Sequence, residues 1–205
     1  MKLQVNDIRK WMEVSNQLIQ ENKSYLTELD QAIGDSDHGI NMARGFQEVI
    51  TKIQDQTYET PTDMLKDVAM TLMSKVGGAA GPLYGTAFLK LSMAWKDKDE
   101  IQLNDIKGGL QAGLDGIKQR GKATSGEKTM IDVWEPIVQL LSENDNIDSS
   151  FFEETAKKAM NDTKDLKATK GRASYFKEKS IGHIDPGSAS SYYIFSALST
   201  SLEGA

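Results

Sequence analysis

In one segment after another, the apolar residues of this 205-residue chain recur every three or four positions, and the strict alternation of a half-buried strand is almost absent. A chain patterned this way must fold by burying helix faces against one another. Ile8, Trp11, Met12, Leu18 and Ile19 predict a first helix from Asp7 to about Asn22, with Asp7 capping its first turn. Ser24 is placed to cap a shorter second helix through Tyr25, Leu26 and Leu29, which Gly34 would end. The third begins near Gly39 or Ile40 and carries Met42, Phe46, Val49, Ile50 and Ile53. Thr62 opens a fourth with Leu65, Val68, Ala69, Leu72 and Met73, and Pro82 suits the first position of a fifth through Leu83, Phe88, Leu89, Leu91 and Trp95. Asn104 or Asp105 starts a sixth, in which Gly108, Gly109, Gly113 and Gly116 cost about 1 kcal/mol each against alanine unless a neighbouring helix comes close. A seventh holds Met130, Val133, Trp134, Ile137, Val138, Leu140 and Leu141, with a kink expected at Pro136. An eighth runs from Phe151 to about Ala168, and a last from Ser188 to about Leu202. The pattern predicts an all-α antiparallel bundle with no sheet, no internal repeat and no disordered tail.

For a chain of this length, 39% hydrophobic residues fill one core of ordinary size, so a single domain over residues 1–205 is expected. The absence of cysteine excludes a disulfide framework and a thiolate metal site. The start lacks the apolar run of a signal peptide, and no stretch approaches the ~20 apolar residues that span a bilayer, so a cytoplasmic protein with no membrane contact is expected. A net charge of -6 argues against a nucleic-acid partner, which needs a concentrated basic face.

Chemistry concentrates between the second and third helices. Asp30-Gln-Ala-Ile-Gly-Asp35-Ser-Asp37-His38-Gly-Ile-Asn41 holds three carboxylates, a histidine and two glycines in one short turn. Like charges about 4 Å apart repel by roughly 4 kcal/mol at an effective dielectric near 20, so a cation is expected between Asp30, Asp35 and Asp37. Hard oxygen ligands suit Mg²⁺ or Ca²⁺. An EF-hand counted from Asp35 fails, because its glycine and glutamate positions hold Ile40 and Phe46. Mg²⁺ commonly shares a few carboxylates with phosphate oxygens, so a phosphorylated ligand is expected beside it, and the third helix points its first N–H groups into the same turn. The plain alternative is a solvated turn in which one aspartate caps the next helix.

Two further stretches fit a phosphate ligand. Gly77-Gly78-Ala79-Ala80-Gly81 precedes a helix and lets backbone amides come close, although glycine-rich helix connections are common. The segment from Lys170 to Gly187 is long for a compact bundle and carries Arg172, Lys177 and Lys179 before the turn Asp185-Pro186-Gly187. A mobile surface loop is its plain alternative. His38 and His183 each lie beside a glycine in a polar turn, where exposed side chains and ligands are equally at home. Gly116 to Lys122 has Walker A spacing, but Ala123 stands where Ser or Thr should meet Mg²⁺ and a helix precedes it in place of a strand. No G-x-G-x-x-G lies between a strand and a helix, which excludes a dinucleotide fold.

Taken in order, Gly34-Asp-Ser-Asp-His-Gly-Ile-Asn-Met42, Gly77-Gly-Ala-Ala-Gly-Pro-Leu-Tyr-Gly85, Lys128-Thr-Met-Ile-Asp-Val-Trp134, Lys170-Gly-Arg-Ala-Ser-Tyr175 and Gly182-His-Ile-Asp-Pro-Gly187 resemble the motifs of the nucleotide-binding L subunits of dihydroxyacetone kinases (DhaL). The resemblance covers nearly the whole chain. It implies an antiparallel eight-helix barrel with a nucleotide at one end and Mg²⁺ bridging its phosphates to Asp30, Asp35 and Asp37. It also implies nucleotide contacts at His38, Gly39, Ile40, Asn41, Ala79, Ala80, Gly121, Met130, Arg172, Asp185, Pro186 and Gly187. In the bacterial form linked to the phosphotransferase system, ADP stays bound and cycles to ATP. A phosphohistidine-donating M subunit charges it, and the phosphoryl group passes to dihydroxyacetone held on a K subunit. A chain ending at Ala205 with no K-type domain is similar to this separate-subunit form. Arg172 then adds positive charge as the phosphoryl group moves, while the three aspartates hold the metal. Ala80 stands where many relatives have serine, which removes a hydroxyl contact and keeps the backbone amide. Asp37-His38-Gly39 disfavours the related fatty-acid kinase domains, which have a threonine-glycine variant there. Two alternatives remain at this point: an ATP-dependent kinase of another small molecule with an exchanging nucleotide, and a regulatory binder whose ADP-loaded form docks on a transcription factor.

Overall fold

The computed structural model describes residues 1–144 and 147–203, so the expectation of an ordered tail falls partly on residues 204 and 205, outside the described residues. The α-helices are α1 (Val5–Glu21), α2 (Lys23–Ile33), α3 (His38–Gln54), α4 (Pro61–Lys75), α5 (Ala80–Ala94), α6 (Leu103–Gly121), α7 (Ile131–Glu143), α8 (Ser150–Asp162) and α9 (Pro186–Leu202). Helix-to-helix contacts pass from α1 to α3 and on in order to α9, which packs back on α1. Helix α2 stands beside this ring, against α3, α9 and a 3-10 segment at Arg172–Ser180. Half of the long connection expected from Lys170 to Gly187 is folded as 3-10 turns, broken at Lys177, whose φ is 51°. Among the described residues, no helix is long and apolar enough to cross a membrane.

The ring closes on aromatic side chains. Trp11 meets Phe88 at 5.3 Å between ring centroids, and Trp134 meets Phe195 edge-on at 4.9 Å. Buried indole N–H groups need acceptors. Trp11 donates to the Ile194 carbonyl at 2.8 Å and Trp95 to the Asp105 carbonyl at 2.8 Å. Close packing compensates three of the four glycines expected inside the sixth helix: a Cβ at Gly109 would lie 2.4 Å from the Trp95 indole nitrogen, at Gly113 2.6 Å from Leu91, and at Gly116 2.9 Å from Lys90. Gly108 has no such neighbour. A small second cluster of Ile33, Ala168 and Ala173, separate from the main core, joins the end of α2 to the segment around Arg172.

Several boundaries differ from expectation. Ser24 caps nothing, because α2 follows α1 through a single residue, Asn22, whose side chain donates instead to the Leu18 carbonyl at 2.8 Å. The α4 cap is Thr60, which accepts from the Asp63 amide at 3.1 Å, with Pro61 at the first turn; Thr62 is buried and donates to the Trp95 carbonyl at 2.8 Å. Pro82 lies at the third residue of α5 and not at its first. Helix α8 ends at Asp162 and passes into a 3-10 turn at Thr163–Asp165, short of Ala168. The expectation of no sheet is also corrected: Lys2–Leu3 and Ile101–Gln102 form a two-stranded antiparallel ladder, β1 and β2. Its two apolar residues, Leu3 and Ile101, are fully buried. Two residues are too few for alternation to reveal a strand.

Candidate metal and nucleotide site

The Asp turn is held in shape by one of its own carboxylates. Asp30 is buried near the end of α2, and its Oδ2 accepts from the backbone amides of Asp37 at 2.8 Å and His38 at 3.0 Å. The helical ladder of α3 begins where the Asn41 amide donates to the Asp37 carbonyl at 2.9 Å. The first amides of a helix have no partner within it, so Asp30 fills part of the anion seat that α3 offers. Ser36 takes a left-handed conformation, φ 66°, to close the turn. At Gly34 a Cβ would lie 1.9 Å from Asp30 Oδ1, so a side chain there would displace the carboxylate. One ligand oxygen from each of Asp30, Asp35 and Asp37 lies within 4.8 Å of the others. Three hard oxygens this close, with a single guanidinium beside them, fit Mg²⁺. That guanidinium belongs to Arg172, whose Nη2 pairs with Asp35 Oδ2 at 2.9 Å.

Gly39 sets the angle at which α3 leaves the turn. A Cβ at this position would lie 2.2 Å from the Lys23 carbonyl oxygen and 2.8 Å from the Thr27 amide nitrogen, both backbone atoms of α2. Backbone cannot rotate away as a side chain can. Gly39→Ala is therefore expected to lower stability by about 1–3 kcal/mol and to loosen the Asp turn. Chemical denaturation would check it, and an unchanged midpoint would contradict the close packing.

A cavity of about 180 Å³ opens beside the aspartates, and Asp30, Asp35, Asp37, His38, Asn41, Ala79, Ala80, Met130, Arg172, Asp185, Pro186 and Gly187 all line it. Five chain segments far apart in sequence thus converge on one space. Gly121 lies in an adjoining cleft that shares Ala79, Met130 and Gly171 with the first. Gly39 and Ile40 line neither cleft, and the Ile40 side chain is exposed.

His38 is not the exposed turn residue that its flanking glycine allowed. Its Nε2 is 2.9 Å from Ser190 Oγ, and burial pushes its pKa down against the pull of Asp30 and Asp37, favouring the neutral ring. Ser190 Oγ is also 2.8 Å from the Tyr84 hydroxyl, which donates to the Gly187 carbonyl at 3.0 Å and lies 2.8 Å from Ser191 Oγ. Trp134 completes the chain of bonds by donating to Ser191 Oγ at 3.2 Å. At the start of α9, Asp185 caps the helix by accepting from the Ser188 amide at 2.7 Å. Burial pushes its carboxyl up to about 7, opposed by the Ser188 bond and by Lys128.

Lys128 also lines the cavity, and membership of a motif is its one mark in the sequence. It is almost fully buried, and its ammonium donates to the carbonyls of Thr163 at 2.8 Å and Leu166 at 3.0 Å. A buried lysine is rare unless partnered. Asp132 shapes the same loop, accepting from the amides of Gly126 at 2.5 Å and Thr129 at 2.8 Å. Only the chain order Lys-Thr-Met-Ile-Asp hints at either role, since the partners lie outside that motif or in its backbone. His183 does not line the cavity.

Residues 32–200 match the DAK2 domain. The chain is 51% identical over 189 residues to the "PEP-dependent dihydroxyacetone kinase 1, ADP-binding subunit DhaL" of Listeria innocua serovar 6a, covering 92% of each protein. It is 47% identical over 196 residues to the "PTS-dependent dihydroxyacetone kinase, ADP-binding subunit DhaL" of Lactococcus lactis subsp. lactis, covering 96% of this chain and 97% of that one. The crystal structure of the dihydroxyacetone kinase from C. freundii in complex with AMP-PNP and Mg²⁺ superposes with a TM-score of 0.73 at 20% identity over 98% of this chain. The chain spans about a third of that kinase, 35% of its length, and the likeness there is one of fold. With the family's domain matched along most of its length and full-length relatives near half identity, this chain belongs to the DAK2-domain family.

Proposed function

We propose that this chain is the ADP-binding subunit of a phosphoenolpyruvate-dependent dihydroxyacetone kinase, with Mg²⁺ and a resident nucleotide at the Asp turn. The observation that carries this reading is the approach of three carboxylate oxygens to within 4.8 Å at the edge of a cavity walled by Asn41, Ala79, Met130 and Asp185. Asp30, Asp35 and Asp37 would hold Mg²⁺, which supplies neutralising charge to phosphate oxygens when bound. The amides at Ala79 and Ala80, near the start of α5, offer donors to an anion. Arg172 is exposed on a 3-10 turn and pairs with Asp35 by one bond, so its guanidinium is free to turn to a phosphate once the aspartate has another cation. Such a charge-assisted contact is worth roughly 1.5–3 kcal/mol. Transfer of a phosphoryl group depends chiefly on positioning and electrostatics, which these residues provide. In this reading a phosphohistidine-bearing M subunit recharges the nucleotide, and a K subunit presents dihydroxyacetone and its base.

The test is the fate of labelled ADP loaded into the protein. With the partner subunits, phosphoenolpyruvate and dihydroxyacetone, the label is expected to stay with the protein over many turnovers while pyruvate forms. Label that washes out at the turnover rate when unlabelled ATP is supplied would make the nucleotide a substrate and the protein an ATP-dependent kinase. Tight ADP binding with no transfer would favour the regulatory role.

A further inference from the structure

We propose that Arg44, an exposed residue that does not line the cavity, is a positioning residue: it fixes the Asn41 side-chain amide so that its NH₂ group is presented to the nucleotide phosphates. The proposal rests on the nucleotide-binding reading above. Both residues lie on α3, three positions apart, where side chains share a face. Arg44 Nη2 donates to Asn41 Oδ1 at 2.8 Å, and its Nε donates to the Lys75 carbonyl at 2.9 Å, at the last residue of α4. The second bond anchors the guanidinium to a neighbouring helix. A guanidinium only donates, so the amide atom that faces it must be the oxygen. Turning the amide over would set an NH₂ group against another donor.

The rest of the pocket agrees with this orientation. Asn41 is buried, forms part of the cavity wall, and is covered on one side by Gly77, where a Cβ would lie 2.5 Å from Oδ1 and 2.9 Å from Nδ2. Gly78, which lines the same cavity, has Nδ2 as its nearest neighbour, 3.9 Å from its Cβ position. Among the described residues Nδ2 has no protein acceptor, while Oδ1 is already engaged. A donor held this way serves an acceptor-rich ligand, and a phosphate oxygen is the acceptor that the Asp turn predicts. If the amide were free to flip, its carbonyl oxygen would face the phosphate for part of the time and repel it.

The experiment is a double-mutant cycle read by calorimetric titration of the nucleotide-free protein with ADP in excess Mg²⁺. Arg44→Ala is expected to raise the Kd about tenfold, the size of one hydrogen bond to a charged group. Arg44→Lys is expected to do nearly the same, because it keeps the charge and loses the fork that engages both oxygens. In an Asn41→Ala background, Arg44→Ala should change the Kd less than twofold. Circular dichroism verifies that each variant is folded, and Arg44→Gln replaces Arg44→Ala should the alanine form fail to fold. Unchanged affinity in Arg44→Ala, full rescue by Arg44→Lys, or additive losses in the double variant would each overturn the positioning role and leave the nucleotide site standing. A wild-type protein that does not bind Mg²⁺ and ADP would overturn both.

Discussion

Asp37→Asn is expected to raise the Kd for ADP in the presence of Mg²⁺ by at least about 100-fold, while the metal-free protein stays as stable as the wild type or becomes slightly more so. Asp37 sits at the N-cap of α3 but makes no side-chain capping bond, so asparagine removes charge without removing a hydrogen bond. The charge it removes faces Asp30 and Asp35 across less than 5 Å, and relief of that repulsion is worth on the order of 1 kcal/mol at a partly solvated site. A metal ligand is different. Mg²⁺ takes few protein carboxylates, so loss of one is a large part of its site, and disturbance even of supporting partners commonly costs 10–100-fold. Binding and stability should therefore move in opposite directions, the pattern of residues kept for function at the expense of stability. Titration calorimetry and a thermal melt on the same sample would check it. Asp30 is a poorer choice for this test, because it also holds the Asp37 and His38 amides and its removal would disturb the turn itself. Normal affinity in Asp37→Asn would remove the metal assignment.

Stripping Mg²⁺ and nucleotide from the loaded protein is expected to lower its melting temperature by about 8–16 °C. A ligand at 1,000 times its dissociation constant stabilises the folded state by about 4.1 kcal/mol, and in a chain of this size each kcal/mol moves the midpoint by roughly 2–4 °C. The effect should be that large because the cavity is walled by the α2–α3 turn, the start of α5, the loop before α7, the segment around Arg172 and the start of α9, so one ligand braces five separate parts of the chain. Re-adding ADP with Mg²⁺ should restore the midpoint, and ADP alone should restore much less of it. A midpoint indifferent to both would show that nothing is bound there.

The helices were legible because a ring of helices needs an apolar stripe on each member, and a stripe leaves a period in the sequence. What escaped were features fixed by a neighbour and not by the segment itself. Ser24 resembles a cap, but α1 runs almost directly into α2 and leaves it nothing to cap. Thr62 resembles one too, but its hydroxyl is drawn to the end of α5. The site divides the same way. Asp30, Asp35 and Asp37 lie within one short turn, so the sequence displays their crowding directly. Lys128 acts on carbonyls of the α8 end, and Arg44 on the end of α4, across distances that no local pattern records. His38 could not be assigned from its glycine neighbour, because its burial depends on α9.

The small cluster of Ile33, Ala168 and Ala173 has a consequence for how a ligand could enter and leave. Separating these three side chains from one another exposes apolar surface worth on the order of 3–5 kcal/mol, far less than breaking the ring of helices that holds Trp11, Phe88 and Trp134. The segment around Arg172 is therefore expected to open at lower cost than the ring, once the Arg172 pair with Asp35 is also broken, and its amides are expected to exchange with solvent ahead of those in α5 or α9. A bound nucleotide gripped by that segment would be expected to slow this exchange selectively, so the same few residues would both admit the ligand and hold it.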